Sequence, residues 1–203
     1  MSKIITVSRE FGSGGRELGK RLAEMLNIAY YDKEIITAIS EKSSLAESYV
    51  DQIVEHHIVT YYPITIATSF ASMPYDAVGQ INRNIYAAQA EVLKEMADKG
   101  DCVIVGRCAD HILAAYDPLN IFVYADMPSK MARCREKGGE IAELSDKELQ
   151  KQIQSIDKAR ARYYNSYTGC VWGDRLNYDI CVNTSRSSVK AIALSIAKLL
   201  ENK

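Results

Sequence analysis

Lys3-Ile-Ile-Thr-Val-Ser8, running into Arg9-Glu-Phe-Gly-Ser-Gly-Gly15, is the stretch on which the fold turns. A run of mostly β-branched and apolar residues ends in a glycine bend, after which Leu18, Leu22, Met25 and Leu26 recur at helical spacing. The reading is strand, loop, helix. Ile28-Ala-Tyr-Tyr31 supplies a second strand, and Asp32 follows it either as the cap of another helix or as a catalytic or magnesium-linked carboxylate. A glycine bend that opens a helix collects backbone N–H groups at the positive end of the helix dipole, and glycine lets the main chain curve closely around an anion. Gly12, Ser13, Gly14 and Gly15 are therefore expected to form a phosphate cradle. A tight turn that merely uses glycine is the plainer alternative, and the strand before and helix after weigh against it.

Working outward, Ile81 to Lys99 reads as a helix closed by Gly100, and Cys102-Val-Ile-Val105 as an uninterrupted apolar strand. Ile121-Phe-Val-Tyr124 and Tyr178-Asp-Ile-Cys-Val182 repeat that pattern, so each is expected to be buried on both faces. Strands alternating with helices predict a three-layer α/β/α fold around a five-stranded parallel sheet. Between the last two strands, Ser145 to Ser166 is a polar helical segment. The final helix carries Val189, Ile192, Ile196, Leu199 and Leu200 on one stripe. Residues from about 40 to 86 lack a strand signal and hold Pro63 and Pro74, as helices joined by a longer loop would. No repeat or flexible linker divides the chain, which reads as one domain over 1–203.

Composition narrows the function classes. The 203 residues are 47% hydrophobic and 25% charged, and 25 Lys and Arg against 26 Asp and Glu leave a net charge of −1. No chain-wide basic field draws the protein to nucleic acid or anionic lipid, so anion binding must be local. No apolar run has the length of a membrane span and no signal peptide is legible, which makes a cytoplasmic location the expectation. Five cysteines without a CxxC pair suit buried thiols rather than disulfides or structural zinc. His56 and His57 are adjacent and His111 is remote, so metal ligation by protein nitrogen is not expected.

Against the pattern G-x-x-x-x-G-K-[ST], Gly12-Ser-Gly14 matches the last glycines, but Arg9 stands at the first glycine and Gly15 at the lysine. Arg16 and Glu17 follow, where hydroxyl or glycine residues are usual. Arg16 and Arg9 are equal candidates for the missing charge, since one helical step turns a side chain by roughly 100°. Gly106-Arg107 directly follows a buried strand, at the end of a parallel sheet where ligands gather, so its guanidinium can grip a phosphate or instead pair with Asp110. Asp157, Arg160, Tyr163 and Tyr164 lie three or four positions apart on one broad helical face. Trp172 either stacks on a base or pins its loop to the core, the latter being the commoner use.

Ser8-Arg-Glu-Phe-Gly-Ser-Gly-Gly-Arg16, Tyr31-Asp-Lys-Glu34, Val105-Gly-Arg107 with Asp110, Asp157-Lys-Ala-Arg-Ala-Arg-Tyr-Tyr164, Tyr167-Thr-Gly169, Trp172-Gly-Asp174 and Asn177-Tyr-Asp179 together resemble the cytidylate kinase-like family. These are relatives of the nucleoside monophosphate kinases among the P-loop proteins. The resemblance implies a helical acceptor-binding insertion at about 40–85 and an arginine-bearing lid at about 133–175. It also implies ATP carried with Mg²⁺ as donor and a nucleoside monophosphate, CMP or dCMP, as acceptor. On that reading Arg9, Gly12, Ser13, Gly14, Gly15, Arg16 and Glu17 hold the donor phosphates, with Glu17 either touching magnesium through water or pairing with Arg16 or Arg21. Lys33, Arg107 and Asp110 belong to the acceptor side, although the family's later acceptor arginine aligns with Ala38. Arg16, Arg133 and Arg160 would neutralise the charge in transit. Two other outcomes stay open: a nucleotide-binding protein without turnover, and a kinase of a non-nucleotide small molecule.

Overall fold

The computed structural model describes residues 3–51, 53, 54 and 77–201. His56, His57, Pro63, Pro74 and the middle of the expected acceptor-binding insertion, 55–76, lie outside the described residues.

Among the described residues there are five strands, β1 (Ile4–Arg9), β2 (Ala29–Tyr31), β3 (Cys102–Val105), β4 (Leu119–Tyr124) and β5 (Ile180–Asn183). They form one parallel sheet in the order β2-β3-β1-β4-β5. β1 is central and buried throughout, as its β-branched run demands. Its odd positions Ile5 and Val7 face α1 (Gly15–Leu26) and α8 (Val189–Glu201), packing with Leu18, Leu22, Ala193 and Ile196. Ile4 belongs to the opposite layer, with α2 (Glu34–Ser43), α3 (Glu47–Asp51), α4 (Ala77–Asp98) and α5 (Ala109–Ile112), where Ile35, Ile39, Ile85 and Leu93 are fully buried. The predicted three-layer α/β/α fold is what forms.

Register positions the functional end. Val7 pairs with Val105, and the N–H of Gly106 donates to the Val7 carbonyl at 3.0 Å, so Arg9 and Arg107 leave the sheet side by side. β4 follows with Arg9 opposite Val123. Beyond β4 come α6 (Met127–Lys137) and α7 (Asp146–Thr168). Asp126 caps the first of these through the N–H of Ser129, and Ser145 with Glu148 closes a capping box on the second. α7 buries Leu149 and Ile153 near Cys134, then Tyr163 and Tyr164 in the main core.

Four sequence expectations need correction. β1 runs on through Arg9, which is strand rather than loop. β5 is an edge strand spanning 180–183, only half covered and with Cys181 exposed, because it has a neighbour on one side alone. Leu199 is 55% exposed, and the buried stripe of α8 is Val189, Ala193, Ile196, Ala197 and Leu200, since small alanines let the helix sit close to α1. Asp32 caps nothing: Lys33 is the N-cap of α2, and the Asp32 carboxylate is held by Arg16. All five cysteines are free thiols. No helix among the described residues is long and apolar enough to cross a membrane.

Candidate active site

The glycine bend is built as expected and is braced from behind. Gly14 adopts φ +84° as the N-cap of α1, a left-handed conformation that glycine takes without strain. The first helical bond is Leu18 N–H to the Gly14 carbonyl at 2.9 Å, so the N–H groups of Gly15, Arg16 and Glu17 stand ahead of it, open to a ligand. Ser13 is fully buried and its hydroxyl donates to the Glu10 carbonyl at 2.8 Å. The Thr184 hydroxyl donates to the Ser13 carbonyl at 2.7 Å, and Arg133 donates to the carbonyls of Gly12 and Thr184 at 3.3 and 2.5 Å.

A buried lysine fixes the loop's near side. Lys130 in α6 is 5% exposed and its Nζ lies 2.6 Å from Glu10 Oε2 and 2.9 Å from Asp157 Oδ2. The other Asp157 oxygen accepts the Phe11 N–H at 2.6 Å. Burial alone would pull the ammonium's pKa down, but hydrogen bonds to the two carboxylates outweigh it and the net shift is upward.

The lysine position of the loop cannot carry a side chain as packed here. A β-carbon on Gly15 would overlap the β-carbon of Arg9, and one on Gly106 would overlap the Arg9 guanidinium. Arg9 thus fills the room left by the two glycines and lays a 7%-exposed side chain between the loop and the end of β3. The two departures from the motif, arginine for the first glycine and glycine for the lysine, are one steric exchange. Gly15→Ala is expected to lower stability by about 2 kcal/mol through overpacking. Chemical denaturation of Gly15→Ala, Arg9→Gly and the double variant should show that most of this loss disappears once Arg9 is removed, a coupling of about 1 kcal/mol or more.

Four arginines converge here. The loop borders a hollow of about 90 Å³ reached by Arg9, Arg16 and Arg160. Beside it opens a cleft of about 600 Å³ lined by Arg16, Lys33, Arg107 and Arg160 together with Glu47 and Asp51. A small pocket of about 30 Å³ beneath joins Arg9, Arg107 and Arg160 to Tyr163, Tyr164 and Trp172. Arg160 donates to the Arg9 carbonyl at 3.2 Å, and its guanidinium lies 5.8 Å from the Phe11 ring centre. Arg107 is 6% exposed and has φ +61°, as has its neighbour Cys108 at +53°. Two consecutive non-glycine residues in that region cost of order 1 kcal/mol each, strain of the kind found where a side chain must be aimed. The Arg107 carbonyl accepts from Gln89 at 2.8 Å, and Gln89 accepts in turn from the Tyr163 hydroxyl at 3.1 Å.

Other expected site residues fall elsewhere. Asp110 stands behind the cleft, accepting the Tyr164 hydroxyl at 2.6 Å. Arg133, expected beside the transferred phosphate, lies on the outer side of the loop, in a second cleft of about 600 Å³ with Gly14, Glu17 and Val189. Glu17 pairs with Arg21 at 2.8 Å there, away from the converging arginines. Trp172 meets the Phe122 ring edge-on at 5.3 Å, which pins its loop to the sheet. Lys130, Thr184 and Gln89 were missed in the sequence. Of these only Thr184 carries a signal, since it directly follows the last strand at the sheet's ligand-binding end.

Burial raises the Asp110 carboxyl above its usual range, and the Tyr164 hydrogen bond opposes this. A carboxyl raised by folding binds its proton more readily in the folded state, so its penalty at neutral pH fades as pH falls through the folded pKa. The stability of the native protein relative to Asp110→Asn is therefore expected to rise between about pH 7 and pH 4.5, read from urea denaturation at both values.

Among the described residues around the loop, the donor set does not fit a magnesium ion. The position that brings a metal-binding hydroxyl in phosphate loops is Arg16, and the Ser13 hydroxyl points inward to Glu10. Glu10 and Asp157 are held by Lys130, Asp32 by Arg16 and Glu17 by Arg21. Among the described residues no group of three metal-ligating side chains occurs.

A parallel sheet in this order, with a glycine loop between β1 and α1 and arginines at its carboxyl end, defines the P-loop kinase fold. The chain belongs to the cytidylate kinase-like family, whose model matches residues 4–186. Among solved structures, that of an uncharacterized protein from Eubacterium ventriosum ATCC 27560 is 27% identical, with 99% of each chain covered and a TM-score of 0.69. Shikimate kinase from Bacteroides thetaiotaomicron shares the fold at 18% identity, with 99% of each chain covered and a TM-score of 0.57. The same enzyme from Acinetobacter baumannii, in complex with shikimate, shares it at 16%, covering 100% of this chain and 95% of that one, with a TM-score of 0.53. No curated protein matches the sequence.

Proposed function

We propose that this protein transfers the γ-phosphoryl group of ATP to the phosphate of a nucleoside monophosphate, with CMP or dCMP as the first acceptors to try. The observation that carries the reading is Arg160, which reaches from α7 to line the loop hollow, the wide cleft and the small pocket beneath. Donor phosphates sit on the N–H groups of Gly15 and Arg16, with the Arg9 guanidinium standing in for the loop lysine. The donor base lies in the outer cleft, against Arg133 and Val189. Arg107 and Lys33 receive the acceptor in the wide cleft. Lys137 at the end of α6 and Ile141 in the connection to α7 border the loop hollow, and this segment serves as its lid. An acceptor phosphate is already ionised, so the chain's residues need only position the two anions and neutralise charge as it moves between them.

The test is incubation of purified protein with ATP and each nucleoside monophosphate in turn, reading diphosphate product. Conversion of CMP or dCMP is the expected result. A second reading, a non-nucleotide small anion as acceptor, is favoured by Ala38, which packs partly buried against the core where the family's acceptor arginine aligns. Its mark is ATP consumption with a pool of small metabolites and none with nucleotides. ATP binding without transfer to any acceptor would leave a binding protein and overturn both.

A further inference from the structure

We infer that the Arg16–Asp32 ion pair takes the place of the divalent cation in the phosphate loop, so that polyphosphate binds here as the metal-free anion. The inference rests on the reading of the glycine bend as a polyphosphate cradle and adds what neutralises the ligand. Asp32, at the end of β2, is 4% exposed, and both of its oxygens are taken by Arg16: Oδ2 by Nε, and Oδ1 by Nη2 at 3.3 Å. A guanidinium gripped along one edge by a carboxylate still presents N–H donors along its other edges. The Arg16 side chain is 47% exposed, and with Arg160 and Phe11 it lines both the loop hollow and the wide cleft. It therefore stands at the junction where donor and acceptor anions would meet. In a magnesium-dependent phosphate loop, the hydroxyl after the lysine and a nearby carboxylate hold the ion against the phosphates. Here the hydroxyl is replaced by a fixed positive charge, and the carboxylate is spent on holding that charge in place.

The surroundings agree. Arg9, Arg16, Lys137 and Arg160 line the loop hollow against Glu10, and Arg16, Lys33, Arg107 and Arg160 outnumber Glu47 and Asp51 in the wide cleft, so a divalent cation would enter against a net positive field. Binding of cation and arginine to one anion is competitive, and by linkage the competition runs both ways: magnesium weakens ATP, and the protein weakens magnesium.

Isothermal titration of the 203-residue protein with ATP, once in EDTA and once in saturating Mg²⁺, reads this directly. The native protein is expected to bind ATP about tenfold more tightly in EDTA. Manganese titrated into the protein–ATP complex and followed by electron paramagnetic resonance should bind more weakly than to free ATP, by the same factor. Arg16→Ser returns the hydroxyl and releases Asp32, and its order of affinities should reverse in favour of magnesium. Equal or tighter binding of ATP to the native protein with magnesium overturns the inference and leaves the proposed function standing. ATP binding under neither condition overturns the cradle reading and both conclusions with it. The native measurement decides even if Arg16→Ser fails to fold, and a folded Arg16→Ser with unchanged preference also overturns the inference.

Discussion

Arg160→Ala is expected to lower phosphoryl transfer by about 10³-fold or more while leaving affinity for ATP within about threefold. Among the described residues lining the hollows, it alone reaches all three. Its guanidinium donates to the Arg9 carbonyl and lies beside the Phe11 ring, which holds it where, on the proposed reading, charge develops between donor and acceptor. An interaction made only in the transition state shows in turnover and not in ground-state binding. Single-turnover transfer to whichever acceptor the survey identifies, beside calorimetric ATP affinity, separates the two. Equal losses in both would assign Arg160 to ATP binding instead. Arg160→Lys should recover only part of the rate, because an ammonium cannot span two oxygens as the planar fork does.

Lys130→Met should lower stability by about 3 kcal/mol, measured by urea denaturation. Removing the ammonium leaves Glu10 and Asp157, both largely covered, facing each other without a counter-charge. The loss then propagates to the loop, since Asp157 also holds the Phe11 N–H. Adding Asp157→Asn to Lys130→Met should return about 1 kcal/mol by removing one of the stranded charges. Folding raises the pKa of Lys130 above its usual 10.5, so its contribution is complete below that value and fades only as pH climbs through the folded pKa. The gap between native protein and Lys130→Met should accordingly stay level from about pH 6 to pH 9.

The parts of the site that were legible lie close together in the chain. The glycine bend needs glycines at 12 and 14, a strand before and a helix after, all within 24 residues. Arg107 was legible as a residue following a strand at the ligand-binding end of a parallel sheet. Lys130 was not, because its partners come from positions 10 and 157 and nothing local distinguishes a buried lysine from a solvated one. Arg133 shows the same limit: its distance from the fourth strand suits a phosphate contact, and only the tertiary structure brings it to the carbonyls of Gly12 and Thr184. The contest between Arg9 and Arg16 for the lysine's role could not be decided from spacing. Packing gives them different tasks, Arg9 filling the space above Gly15 and Gly106, and Arg16 closing on Asp32.

By itself, the order of residues determined the sheet, its covering helices and the glycine loop, since hydrophobic period, β-branching and glycine geometry act over a few neighbouring residues. Only the tertiary structure decided what each charged side chain does. A guanidinium or ammonium reaches several ångströms from its backbone, and its role is settled by whichever carboxylate, carbonyl or hollow distant segments bring within that reach.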